Sequence, residues 1–178
     1  MKPRMLAFLV VAVLPLMAFD CITDSFTIAL NLKPFTGTFR INQGSNTTYG
    51  GSFTIKPDTL YDAGSYVLDG ASVYDIRVGT SGPDLGQVAG NIYVNSTGGS
   101  PILLMHYAGK WTDFSTPQSL LNSPFITRNS AGINLLIQSV VGNQSITFSI
   151  LGTETLTPVP VGCSIVSTAY VQAYGHKK

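Results

Sequence analysis

Residues 65–78 read SYVLDGASVYDIRV. Two short runs rich in Tyr, Val and Ile, 65–68 and 72–78, flank the pair Asp69-Gly70. β-Branched and aromatic side chains suit a pleated, half-buried surface, and Asp-Gly accepts the backbone of a two-residue hairpin turn. The stretch therefore predicts a β-hairpin. In its second arm Val73, Asp75 and Arg77 share one parity, and Tyr74, Ile76 and Val78 the other. The second set is the expected inward face, because alternate strand residues point to opposite sides.

The same alternation spreads in both directions. Upstream, SFTIALN (25–31), FTGTFRI (35–41) and YGGSFTIK (49–56) each place apolar residues at every second position, with QGSN (43–46) and Pro57-Asp58 as turns. Downstream, QVAGNIYV (87–94) is followed by the turn residues 95–100. PILLMHY (101–107) is apolar without a break, as in a strand covered on both faces. Residues 114–130 read as a long loop with a short helix near Pro117–Leu121. GINLLIQSVV (132–141) and SITFSIL (145–151) read as strands around a Gly142-Asn143 turn. A last strand runs over about residues 162–172, and the polar residues after it read as a solvated tail. Nine or ten closely spaced strands with very little helix predict an all-β fold. An antiparallel β-sandwich is expected, with a β-barrel as the alternative.

The N-terminal residues have a different character. Lys2 and Arg4 precede MLAFLVVAVLPLMAF (5–19), and polar residues follow. This is the layout of a secretory signal peptide, assigned to residues 1–18 with cleavage after Ala18. The apolar run falls short of the roughly 20 residues that a spanning helix needs, so no membrane span is expected in the mature form. Residues 19–178 then form a single secreted β domain, extracellular or associated with a cell wall. Without Lys2 and Arg4, the ten basic residues fall to eight against nine acidic ones, a formal balance of −1. So weak a charge, with no basic stripe, argues against a nucleic-acid partner.

Export makes two further expectations. Cys21 and Cys163 are the only cysteines, and in an oxidising compartment such a pair is expected to close as a disulfide. Three sequons, at Asn46, Asn95 and Asn143, lie in polar turns and are the expected glycosylation sites.

The inventory for catalysis is thin. Past the leader there are only two histidines, His106 and His176, and one glutamate, Glu154. No nucleophile elbow, H-E-x-x-H motif, Cys/His cluster or calcium loop occurs. The aspartate pairs Asp58/Asp62 and Asp69/Asp75 lie at expected turns, where Asp serves the local backbone. No catalytic residue, metal or cofactor is assigned. One local cluster suits contact: His106, Tyr107, Trp111 and Asp113 at the exit of the 101–107 strand. Trp111 either stacks on a ligand or plugs one end of the core.

Together these readings describe a noncatalytic secreted glycoprotein that contacts an extracellular protein or polysaccharide. A carbohydrate-binding module is the alternative, and a small glycan-active enzyme using Asp and Glu the third reading. An exposed aromatic row would favour the carbohydrate reading. A cleft holding Glu154 opposite an aspartate would favour the enzyme.

Overall fold

The computed structural model describes residues 27–41, 48–155 and 159–178. The expected leader, Cys21 and the Asn46 sequon lie outside the described residues. The described residues form ten strands: β1 (Ile28–Asn31), β2 (Phe35–Arg40), β3 (Thr48–Ile55), β4 (Tyr66–Ser81), β5 (Gln87–Ser96), β6 (Ile102–Lys110), β7 (Gln118–Ser119), β8 (Ile126–Arg128), β9 (Ile146–Glu154) and β10 (Ser164–Lys177). They pair into two five-stranded sheets. The first runs β1-β10-β4-β7, with β2 also on β10; the second runs β3-β9-β5-β6-β8. Every strand pair is antiparallel. The fold is a β-sandwich.

The core lies between the sheets. β10 contributes Ile165, Ala169, Val171 and Ala173 to it, and the second sheet contributes Val88, Ile92, Phe148 and Ile150. On the side where β2 and β3 meet, Phe53 stacks on Phe148 with centroids 5.1 Å apart and tilts against Phe39 at 5.1 Å. Its ring fills the space where a Gly37 side chain would be, so this glycine lets the sheets close on one another.

Four sequence expectations are corrected here. Residues 132–141 are not a strand: Ser130–Val141 is the helix α1. Its apolar residues Ile133, Leu136, Ile137 and Val140 recur at i, i+3, i+4 and i+7, which is helical spacing. The Asn129 side chain caps it, accepting from the backbone N–H groups of Ala131 and Gly132 at 2.9 and 3.4 Å. The helix bridges the sheets by packing on β4 of one and on β5 and β6 of the other. Gly142-Asn143 does turn the chain, with Asn143 at φ 50°.

Asp69-Gly70 is not a hairpin turn. β4 runs straight through it for 16 residues, and the pairing with β10 slips there instead. The residues after 172 are not a free tail either, because β10 extends to Lys177 and pairs with Tyr66 of β4.

The expected disulfide is also overturned. Cys163 is a free, buried thiol whose Sγ donates to the Pro83 carbonyl at 3.6 Å. Burial pushes its pKa up, as for an inert structural cysteine. The labels of secreted glycoprotein and cell-wall component, from which that bridge was expected, receive no support from the fold. No helix among the described residues is long and apolar enough to cross a membrane.

Candidate binding face

The face that stands out is created by two irregularities in β4. Against β10, Asp75 pairs with Tyr170 and Val73 with Val171, so Tyr74 has no partner of its own. Likewise Gly70 pairs with Tyr174 and Leu68 with Gly175, which leaves Asp69 over. An extra residue in one strand is a β-bulge, and it re-aims the side chains beside it. Strict alternation would have sent Tyr74 inward with Ile76 and Val78. Instead Ile76 and Val78 are fully buried, and Tyr74 is 53% exposed on the outer face.

Tyr74 joins the outward residues of β10. Its ring lies 5.8 Å from that of Tyr170, tilted by 47°. The Arg77 guanidinium sits over the Tyr170 ring, 5.0 Å from its centroid, within cation–π range. Arg77 Nε donates to Asp75 Oδ2 at 2.8 Å, and Ser119 Oγ of β7 donates to Asp75 Oδ1 at 2.6 Å. The Asp75 hydrogen bond, with Tyr170 adding to it, raises the Arg77 pKa further and keeps it cationic. Asp75 is thus buried with both oxygens satisfied, and it holds the guanidinium in place.

Four residues along β10, Tyr174 is 45% exposed. Its ring occupies the space where a Gly70 side chain would be, so it lies across the backbone of β4. Beside it, His176 Nδ1 donates to the Asp69 carboxylate at 3.0 Å. Gln172, exposed between the two tyrosines of β10, faces Ser72 across the pair.

The residues nominated from sequence are dispersed. Tyr107 is fully buried and Trp111 is 3% exposed, so neither presents a surface. Trp111 plugs the core: its Nε1 donates to the Gly82 carbonyl at 3.3 Å, and its own carbonyl accepts from Thr80 Oγ1 at 2.9 Å. Asp113 works on the backbone, accepting from the Lys110 N–H at 2.8 Å at the start of a short 3-10 helix, Trp111–Phe114. His106 is exposed on the outer face of the second sheet, where Nδ1 meets Asn91 Oδ1 at 2.9 Å. Of the two described sequons, Asn95 is half-buried on β5 and Asn143 is exposed in the turn after α1.

A second tyrosine pair is wholly internal. Tyr49, Gly152, Gly90 and Tyr107 form one row across β3, β9, β5 and β6. The rings lie over the two glycines and their hydroxyls hydrogen-bond to each other. Tyr49 also donates to the Ala89 carbonyl at 3.4 Å. Burial pushes the Tyr49 pKa up to about 12, and raises that of Tyr107 as well. Glu154, the next inward residue on β9, is 4% exposed, and neither carboxylate oxygen has a hydrogen-bond partner among the described residues. Desolvation raises its pKa. Among the described residues no group of three or more His, Cys, Asp or Glu is placed to hold a metal ion.

No family model matches the chain. No curated protein matches it either. Two solved virus structures are similar in strand arrangement. Desmodium yellow mottle tymovirus aligns at a TM-score of 0.38 and 10% identity, covering 85% of this chain and 90% of that one. Turnip yellow mosaic virus aligns at 0.39 and 14% identity, covering 86% and 94%. The two-sheet fold stands on its own strand pairing, and at these scores neither likeness bears on function.

Proposed function

We propose that this chain is a noncatalytic β-sandwich that works by contact with another macromolecule, and that the outer face of the first sheet is its working surface. The observation that carries this reading is the cluster of Tyr74, Tyr170 and Tyr174 on one exposed sheet face. Tyrosine offers a large apolar body with a polar tip at low conformational cost, which suits it to binding surfaces. The bulge at Tyr74 favours the reading further, because alternation alone would have buried that ring.

Hydroxyl-radical footprinting tests the proposal. Tyr74 and Tyr174 are expected to react freely in the purified protein and to be protected in crude native extract. Tyr93, half-buried on the outer face of the second sheet, serves as the internal reference. Equal reactivity of Tyr74 and Tyr174 in both preparations would overturn the assignment of this face.

A further inference from the structure

Resting on that reading of the face, we infer that its partner is an uncharged polysaccharide. Two features of the patch argue for this class, one of shape and one of charge.

The shape argument concerns Tyr174. Because Gly70 has no side chain, the ring packs over the strand at that position while staying 45% exposed. The result is an exposed aromatic platform set against the sheet. A pyranose ring presents a flat C–H face of similar size and hydroxyls around its edge. It therefore covers the ring while its hydroxyls reach neighbouring polar groups. Gln172 and Ser72 supply such groups next to the platform, and both are exposed. Tyr170 and Tyr174 are separated by four residues of β10, about 13 Å at the usual strand rise. An extended glycan lying along β10 would cover Tyr174 and run toward Tyr74, because the Arg77 guanidinium already lies over Tyr170.

The charge argument concerns what the patch does not offer. The Arg77 guanidinium is held between Asp75 and the face of Tyr170, and the Asp69 carboxylate is engaged by His176. The Arg77 and Asp75 charges thus answer one another, and the Asp69 carboxylate is already hydrogen-bonded. A polyanion would need a run of free cations, and a polycation a run of free carboxylates. A neutral, hydroxyl-rich chain needs neither, and it meets tyrosine, amide and hydroxyl groups throughout.

Affinity electrophoresis of the intact protein provides the test, with separate gels containing soluble β-glucan, xylan, galactomannan or starch, and polygalacturonate and chitosan as charged comparisons. At least one neutral polysaccharide is expected to retard the protein, with little change on adding salt. Tyr174→Ala should weaken that retardation about tenfold, the effect of losing one stacking contact. Tyr174→Phe should keep most of it, because the platform remains. Tyr93→Ala, on the other sheet, should leave it unchanged. An unaltered melting temperature for Tyr174→Ala would separate lost binding from lost folding.

Several results would overturn the inference. They are no retardation by any neutral polysaccharide, retardation by the charged ones alone, and full retention by Tyr174→Ala. Should the neutral panel fail while Tyr74 and Tyr174 stay protected in native extract, the polysaccharide falls and the contact face stands. Loss of that protection as well would remove both.

Discussion

Glu154 is the residue with the sharpest energetic signature. Its carboxyl sits in the core with no described partner for either oxygen, and desolvation raises its pKa above the usual value near 4.3. The folded state therefore holds this proton more tightly than the unfolded chain does. Stability from the protonated form is complete below the unfolded pKa and is lost as pH rises through the folded one. Glu154→Gln should consequently match the native protein in melting temperature near pH 4 and exceed it at neutral pH. Parallel melting temperatures across that range would show that Glu154 meets a compensating group. From sequence, Glu154 was only a lone acid after a strand, with a cleft as its alternative setting. Its parity with Ile146, Phe148 and Ile150 was legible, and that parity is what buries it.

The elements show where local pattern suffices and where it fails. β2, β5 and β9 follow the alternation seen in the chain, because one face of each is packed against the other sheet. α1 resembles a strand in sequence because Ile and Val are common in strands, although their spacing is helical and Asn129 stands at the cap. Asp69-Gly70 resembles a turn because a bulge and a turn draw on the same permissive residues. The slip at Tyr74 could not be seen at all: it depends on the register against β10, some hundred residues away. For Trp111 the sequence leaves a ligand contact and a core plug both open, and its bond to Gly82 in a different connection decides for the plug. Two substitutions test the helix. Asn129→Ala should cost about 1 kcal/mol in denaturant unfolding through loss of the cap. Gly132→Ala should cost more, because its new methyl would meet the Leu104 backbone at 2.6 Å.

At the scale of the molecule, stability comes from the apolar layer between the sheets rather than from a covalent clasp. Export signals in the sequence suggested a bridge joining the two ends, and only the folded chain reveals the Cys163 thiol free and buried. Adding a reductant should leave the melting temperature unchanged. A fall of several degrees would indicate a disulfide after all, since closing so long a loop is worth about 4–5 kcal/mol in the chain-entropy account. The sandwich architecture itself was readable because strand alternation is local. The binding face was not, since it is assembled by pairing β4 with β10.

The position of β10 also sets a timetable for biosynthesis. Ile28 pairs with Gly175 and Phe35 with Ala169, so β1 and β2 have no neighbour in their sheet until Ser164–Lys177 has been made. The other sheet is complete once Glu154 has been made. One sheet can therefore close on itself from an incomplete chain, its oily side still open, while the opposite wall waits for its central strand. During that interval the nascent chain is at its most vulnerable to aggregation, and a chaperone that shields apolar strands would matter most then.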